Sequence, residues 1–271
     1  MIHLWSEPTA EHADRNMPQE ILTRLGSHIS IHPWWLARAK YVEKKLQLQF
    51  QNKLISVLDV GCGWGVTLKH LEKCGHQVWG LDVGMAALNL LDGPGRRLIL
   101  GDVENGHIPN EMHGKFDAVL ALDVLEHLDF PELAIKNLIK LTRPGGLIII
   151  SVPAMMELWS EFDEIQGHRK RYDKKELSYL LESARELEDL RIGYCWPWLV
   201  TMARLTRLKK NSDHTHEQII DPWKIYEKYV KPGPLIVRCL MKFGFRLSER
   251  QTMRGKARQG TSILATATRK I

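Results

Sequence analysis

The feature that most constrains the fold is a regular alternation of short apolar runs and helical stretches between residues 54 and 153. Short, continuous apolar runs ended by glycine, proline or polar residues are typical of strands buried on both faces of a sheet. The segments between them have helical spacing, and strands that alternate with helices predict a doubly wound parallel sheet. The five predicted strands are LISVLDV (54–60), QVWGLDV (77–83), RRLILGD (96–102), KFDAVLALDV (115–124) and LIIISVP (147–153).

The flanking segments predict additions to this sheet. Residues 1 to about 50 have mixed helical periodicity, and after the fifth strand the pattern predicts a helix over 173–184 and strands over 187–196 and 260–270. About 60 residues separate these two last strands, too many for a simple loop. The prediction is therefore an α/β, seven-stranded Rossmann-like sheet, divided into an N-terminal helical cap (1–53), the Rossmann-like domain (54–199), an inserted basic helical subdomain (200–259) and the final strand (260–271).

Composition narrows the class of protein. The chain has 271 residues, of which 44% are hydrophobic and 26% charged, which excludes disordered and fibrous classes. Four widely spaced cysteines form no C-x-x-C pair, so neither a disulfide framework nor a zinc site is expected, and a reducing compartment fits. The N-terminus lacks the pattern of a secretory signal, and no apolar run is long enough for a membrane-spanning helix. These observations predict a cytoplasmic protein.

Charge is concentrated near the C-terminus. Residues 200–271 carry 16 Lys+Arg against 5 Asp+Glu, whereas the whole chain has a net charge of only +6. Such a region suits a phosphate-bearing substrate, membrane headgroups or nucleic acid, unless it is simply a solvated face. Within it, residues 229–250 combine an apolar stripe with Lys and Arg, so a helix there either packs in the inserted subdomain or lies on an anionic membrane.

A glycine-rich turn follows the first predicted strand. In VLDVGCGWG (57–65), Gly61, Gly63 and Gly65 lack a Cβ atom, so the backbone can turn sharply and a ligand can approach it closely. In open α/β sheets, ligands bind beyond the carboxyl ends of the strands. The spacing is G-x-G-x-G and differs from the G-x-G-x-x-G of dinucleotide-binding enzymes, which argues against a reductase.

Four further motifs follow in order: GLDV with Asp82, GDVEN with Asp102, the L-E-H turn within 116–130, and RPGGLIIISVP (143–153). With the glycine turn, this set resembles the class I S-adenosylmethionine (SAM) methyltransferases over residues 55–154. The resemblance implies SAM as cofactor and S-adenosylhomocysteine as product, with Asp82 on the ribose hydroxyls and Asp102 beside the adenine. The cofactor-binding residues it implies are Asp59, Gly61, Cys62, Gly63, Asp82, Val83, Asp102, Val103 and Leu122.

A second unusual stretch, residues 157–177, leaves the fifth strand at the ligand edge of the sheet. Its pattern resembles a bacterial methyltransferase subgroup (type 11/12-like) that modifies glycans, lipids and natural products. If the acceptor is a hydroxyl, a base must take its proton, and His168 is the first candidate because imidazole titrates near neutral pH. His127 is the second. The alternatives are a capping or surface role for His168 and cofactor packing for His127.

The same stretch offers acceptor-binding candidates. Arg169 and Arg171 have the geometry to clamp a phosphate or carboxylate, or they form salt bridges to Asp163 or Glu164 and hold a lid in place. Trp159 and Tyr172 either wall the acceptor pocket or pack in the core. No metal is expected, since no third ligand can be named beside Asp123 and Glu126.

The prediction is a SAM-dependent methyltransferase that acts by in-line displacement on a hydroxyl, with an amine as second choice. The acceptor is a small molecule, a sugar or a lipid-linked intermediate, and the localisation is cytoplasmic, with membrane-peripheral contact through the basic C-terminal region left open. Three alternatives remain: a quinone-type O-methyltransferase, since D-V-L-E-H occurs in such enzymes, a nucleic-acid methyltransferase, and a non-catalytic SAM-binding partner protein. The nucleic-acid alternative lacks a D/N-P-P-Y motif after strand four and any recognisable RNA-binding module.

Overall fold

One mixed sheet organises the protein. The computed structural model describes residues 2–5, 19–208, 222–231 and 233–271. Eight strands pair in the order β1-β4-β3-β2-β5-β6-β8-β7, and all neighbours are parallel except β6–β8 and β8–β7, which are antiparallel. The strands are β1 (Ile2–Leu4), β2 (Ser56–Val60), β3 (Gln77–Asp82), β4 (Arg97–Leu100), β5 (Phe116–Leu122), β6 (Thr142–Pro153), β7 (Leu187–Cys195) and β8 (Ser262–Arg269).

Helices cover both faces of this sheet, as a parallel sheet requires. The α-helices of the described ranges are α1 (Gln19–Ile31), α2 (Pro33–Phe50), α3 (Val66–Lys73), α4 (Met85–Leu91), α5 (Pro131–Leu141), α6 (Glu161–Ile165), α7 (Lys174–Glu182), α8 (Pro197–Leu208), α9 (Pro222–Val230) and α10 (Leu235–Met253). Several begin as their sequences predict: α2 and α5 start with proline, whose fixed φ suits a first helical position.

Alternation along the strands divides the core into two layers. Leu58 and Val60 of β2 pack with α5 and α7 on one face, whereas Val57 packs with α2, α3, α4 and α10 on the other. A third apolar cluster joins α1 to α9, away from the sheet. The helices before β2 and those between β7 and β8 therefore pack together beside the ligand edge of the sheet.

The structure confirms the predicted α/β fold and differs from it at one edge. The N-terminal residues were predicted to be helical, but Ile2–Leu4 form β1, which pairs in parallel with β4 and adds an eighth strand. Three residues are too few for the period-2 pattern that identifies a strand. The part of the predicted helical cap at residues 6–18 lies outside the described residues, as do residues 209–221 of the predicted insertion. None of the described helices has both the length and the apolar run that crossing a bilayer needs.

Candidate active site

A cavity of about 1140 Å³ opens at the carboxyl ends of the parallel strands. Its floor comes from the turns after β2, β3, β4 and β5, because neighbouring parallel strands end at one edge of the sheet. Its walls come from α2, from residues 157–171, and from the segment between β7 and β8. All nine residues that the resemblance assigned to the cofactor lie along this cavity.

The glycine turn after β2 needs its glycines for different reasons. Gly61, Gly63 and Gly65 all have positive φ, at 67°, 47° and 66°, a region that favours glycine. A Cβ atom on Gly61 would lie 2.6 Å from Val124 Cγ2, and one on Gly65 would lie 2.5 Å from Leu91 Cδ2. A Cβ atom on Gly63 would meet only the Gly61 carbonyl, at 4.0 Å. The turn is thus packed from behind and open at Gly63, where a ligand can approach the backbone.

Asp82 fastens this turn to the end of β3. Its Oδ2 accepts the N–H of Gly63 at 2.9 Å, and its Oδ1 accepts the N–H of Gly84 at 2.8 Å. Burial raises the pKa of Asp82, and these backbone hydrogen bonds act against that rise. Each carboxylate oxygen has a second lone pair to offer, so the residue fits the two hydroxyls of a ribose.

Two other acids lie near Asp82. Asp102 Oδ1 accepts the N–H of Glu104 at 2.7 Å, which orients its carboxylate along the cavity wall. Asp59, at the end of β2, is almost fully buried, and burial raises its pKa to about 7 against the opposing effect of the Arg38 charge. Cys62 meets the cavity within the glycine turn, and its Sγ is buried against Gly80 of β3.

A hydrogen-bonded network holds His168 at the opposite wall. Its Nδ1 lies 2.9 Å from Asp163 Oδ1, and Arg171 donates to both oxygens of the same carboxylate at 2.8 and 2.9 Å. Burial alone would raise the pKa of Asp163, but the hydrogen bond from His168 and the charge of Arg171 outweigh it and lower the pKa to about 2. The carboxylate can only accept, so the His168 Nδ1 carries the hydrogen, and in the neutral imidazole the lone pair is then on Nε2.

His127 and Glu126 lie beside this network. The rings of His127 and His168 meet edge to face, with centroids 4.8 Å apart. Burial, together with the neighbouring His168, lowers the pKa of His127 to about 4, so its ring is neutral at pH 7. Glu126 is fully buried, and neither of its carboxylate oxygens has a hydrogen-bond partner among the described residues. Burial therefore raises its pKa well above the usual range, with Asp123 adding to the effect.

Two of the four predicted acceptor-binding residues line the cavity, and two do not. Trp159 and Arg171 lie on its wall. Arg169 instead donates to the His127 carbonyl at 2.9 Å and pairs with Asp129 outside the cavity. Tyr172 is buried in the core, and its hydroxyl donates to the Leu125 carbonyl at 3.2 Å. The core-packing alternative thus describes Tyr172. Arg171 forms the predicted salt bridge to Asp163 while also lining the cavity, and Arg169 forms its salt bridge to Asp129, an acid that the prediction did not name.

The contribution of α2 to the cavity was not predicted from the sequence. Arg38 reaches across the cavity and pairs with Asp123 at the end of β5, where Asp123 has a φ of 58° and also accepts from the Ser151 hydroxyl at 2.9 Å. The Arg38 guanidinium lies 4.8 Å from the ring centroid of Trp34, which also lines the cavity. The spacing of Trp34 and Arg38 places them one helical turn apart, but nothing in the sequence indicates which partner Arg38 meets.

Two sets of side chains in the described part of the chain have the spacing to hold a metal ion. One combines Glu126, His127 and His168 at the cavity wall; it includes Glu126 but not Asp123, the other acid considered from the sequence. The other combines Glu43, His70 and Cys74 between α2 and α3, outside the cavity, with ligand atoms also within 4.8 Å of one another. In the second set, Glu43 and His70 form a hydrogen bond of 2.7 Å with each other.

Comparison with known proteins identifies the class. Residues 34–189, more than half of the chain, match the family model described as a methyltransferase domain. The chain belongs to this methyltransferase family, and its sheet is Rossmann-like.

Relatives and solved structures are similar over different lengths. The ubiquinone biosynthesis O-methyltransferase of Dechloromonas aromatica is 31% identical over 134 residues, which is 44% of this chain and 57% of that protein. That of Acinetobacter baylyi is 33% identical over 100 residues, or 35% of this chain and 42% of that protein. The match thus spans little more than half of the first relative's length.

Two solved structures share the fold at low sequence identity. The plantazolicin methyltransferase BpumL in complex with SAH has a TM-score of 0.56 at 15% identity, with 93% of this chain and 90% of that chain covered. A sarcosine dimethylglycine methyltransferase from Galdieria sulphuraria has a TM-score of 0.55 at 13% identity, with 86% and 85% covered. At such identities the likeness shows the fold alone.

Proposed function

We propose that this protein transfers the methyl group of SAM to a hydroxyl oxygen of a small-molecule acceptor. The observation that carries the proposal is the position of His168, which lies along the same cavity as the glycine turn and Asp82 and has its Nδ1 fixed by Asp163. A carboxylate–imidazole pair of this kind is suited to accept the proton of a hydroxyl.

The chain's own residues have three tasks in this reaction. SAM supplies an activated methyl group on a sulfonium, so the reaction is an in-line displacement in which alignment of the reactants dominates. The turn at Gly63 and the Asp82 carboxylate hold the donor. His168 Nε2 takes the hydroxyl proton as the oxygen–carbon bond forms and the carbon–sulfur bond breaks, and Asp163 stabilises the resulting imidazolium. The products are the methyl ether, S-adenosylhomocysteine and one proton.

The lining of the cavity supports an aromatic or apolar acceptor. Its side chains include six aromatic rings, an environment that stacks on a ring or covers an alkyl chain. The relatives named as ubiquinone biosynthesis O-methyltransferases support a hydroxyl as the methylated group. The rings are those of Trp34, Trp35, Trp64, Trp159, Phe162 and Tyr229.

We further propose that the acceptor is lipid-linked and that the protein contacts the membrane peripherally. These two proposals are supported by the excess of Lys and Arg in residues 200–271 and by the apolar side chains of Met202, Val237 and Met241 on the cavity wall. A sugar-linked acceptor is the weaker variant, because apolar and aromatic groups dominate this wall.

The experiment is a methyl-transfer assay with trideuteromethyl-labelled SAM and paired acceptors that differ only in carrying a hydroxyl or an amine on an aromatic ring. Mass spectrometry of the products is expected to find the label on oxygen in the wild type and no labelled ether in the His168→Ala variant. Label on nitrogen alone, or unchanged ether formation in the variant, would contradict the proposal. Calorimetric titration with SAM shows whether the variant still holds the donor.

A further inference from the structure

Helix α10 presents an apolar face to solvent. Ile236, Leu240, Phe243 and Leu247 recur at intervals of four, three and four residues, so they lie on one side of the helix. Their exposed fractions are 74%, 64%, 60% and 67%. A contiguous stripe of large exposed apolar side chains is unusual for a surface that meets only water.

The opposite face of the same helix is fixed to the protein. Phe245 is buried with its ring 5.2 Å from that of Trp198 in α8, and the Tyr41 hydroxyl of α2 donates to the Thr252 carbonyl at 3.2 Å. The helix therefore cannot rotate its apolar stripe inward without breaking these contacts. The apolar stripe is therefore exposed in the folded protein while the opposite face of α10 stays packed.

Positive charge borders this stripe. Lys242, Arg246, Arg250 and Arg254 are exposed along or just beyond α10, and the one acid of the helix, Glu249, is paired with Lys44 of α2. An apolar stripe flanked by cations is the pattern of a helix that lies in the interface of an anionic membrane. A second copy of this chain would bring like charges together, which opposes dimerisation through this face.

The cavity opens beside the stripe. Val237, which precedes Leu240 by one turn of α10, lines the cavity and is partly exposed, as are Met202 of α8 and Tyr229 of α9. Leu205, one turn after Met202, is also exposed. These side chains form an apolar rim that continues onto the outer face of α10.

From these positions we infer that α10 binds the surface of an anionic phospholipid bilayer and holds the mouth of the active-site cavity against it. The inference rests on the proposed function, since it explains how a lipid-borne acceptor reaches His168. The stripe of Ile236, Leu240, Phe243 and Leu247 enters the acyl region, the cations meet lipid phosphates, and the rim between α8 and α10 receives the acceptor's apolar tail.

The test is vesicle co-sedimentation of the full chain, with vesicles of phosphatidylcholine alone and vesicles that also contain phosphatidylglycerol. The wild type is expected to bind the anionic vesicles and to release them at high salt. Leu240→Ser/Phe243→Ser is expected to lower the partition coefficient by about tenfold or more, because two large apolar side chains no longer leave water. The matched control, Leu54→Ser/Tyr179→Ser, removes two equally exposed apolar side chains elsewhere and is expected to bind like the wild type.

Three results would overturn the inference: no binding of the wild type to anionic vesicles, equal losses in the two double variants, or a wild-type dimer in light scattering that the α10 variant converts to a monomer. Calorimetric titration of each variant with SAM separates this inference from the proposed function. Intact SAM binding with lost vesicle binding supports the docking role of α10, whereas vesicle binding without SAM binding supports docking and contradicts the proposed function.

Discussion

Asp163 and His168 form a fixed pair, with the His168 Nδ1 2.9 Å from the Asp163 Oδ1 and Arg171 on both oxygens of the same carboxylate. Asp163 also accepts the N–H of Ser160 at 2.9 Å and so begins the short helix α6. One buried carboxylate therefore anchors the segment that leaves β6 and sets the tautomer of the imidazole on the cavity wall.

This pairing predicts distinct effects of two substitutions. In His168→Ala, kcat is expected to fall by about 100-fold or more, because no group accepts the hydroxyl proton, while the affinity for SAM is unchanged. In Asp163→Asn, the amide can donate to Nδ1 and favours the wrong tautomer, so kcat is expected to fall as well. Raising the pH is expected to restore part of the His168→Ala rate with a phenolic acceptor, whose hydroxyl then ionises without a base.

Arg171→Gln is the control for this experiment, since it removes the guanidinium from Asp163 and leaves the imidazole pair in place. Steady-state kinetics that separate kcat from KM, measured across pH, provide the readout. A His168→Ala variant with wild-type kcat and an unchanged acid limb of the pH profile would show that another group takes the proton.

Glu126 gives a prediction about stability. Its pKa is raised by burial, so the folded protein keeps the carboxyl protonated at pH values where the unfolded chain has released the proton. The stability it supports is present below its ordinary pKa of 4.5 and is lost as the pH rises through the folded-state pKa. Glu126→Gln, which mimics the protonated acid, is expected to unfold at the same or a higher temperature at pH 8.

The effect of Glu126 on stability is measured by thermal unfolding of the wild type and of Glu126→Gln between about pH 5 and 8, in steps of about one pH unit. The variant is expected to have the flatter dependence. Other groups also titrate in this window, among them Asp59 with its pKa of about 7, but they are common to both proteins. Parallel curves for the two proteins would mean that Glu126 is charged in the folded state.

Breaking the Arg38–Asp123 ion pair is expected to lower the unfolding free energy much more than breaking an exposed ion pair. Both side chains are largely buried, so Arg38→Met leaves the Asp123 carboxylate without its cation and is expected to cost about 3 kcal/mol of unfolding free energy. The double variant Arg38→Met/Asp123→Asn is expected to recover part of that loss. Arg143→Met, which breaks a more exposed pair with Asp117, is expected to cost about 1 kcal/mol or less.

Urea denaturation of the three variants provides these free energies. Equal costs for the Arg38 and Arg143 substitutions would show that the α2 contact at the cavity contributes no more than a surface ion pair. No recovery in the double variant would show that Arg38 stabilises the fold through Trp34 instead of Asp123.

The sheet could be predicted from the sequence because its signals are local. Runs such as LIIISVP carry their own burial pattern: β8 was placed within about two residues of both its ends, and β6 was placed correctly at Pro153 but begins at Thr142 and not at Leu147 as predicted. The glycine turn was predictable for the same reason, since Gly61 and Gly65 adopt the positive φ that their spacing anticipates. The edge strand β1 was not predicted, because three residues are too few to show the alternation of apolar and polar side chains that identifies a strand.

Part of the site could not be predicted, because it depends on contacts between distant segments and on which of two plausible directions a side chain takes. Arg38 and Asp123 lie 85 residues apart, and no periodicity links them. Arg169 and Arg171 have the same side chain two positions apart, yet one faces Asp129 and the other Asp163. Tyr172 is equally ambiguous, because an aromatic side chain suits both a pocket wall and the core until packing decides between them.

The most direct test of the cofactor site is calorimetric titration with SAM and with S-adenosylhomocysteine, for the wild type, Asp82→Asn and the exposed control Asp189→Asn. Asp82→Asn keeps one carbonyl oxygen for the glycine turn but loses the carboxylate that fits the ribose hydroxyls. We expect the wild type and the control to bind both molecules alike, and Asp82→Asn to bind about tenfold or more weakly. Equal affinities in all three proteins would contradict the placement of SAM at Asp82.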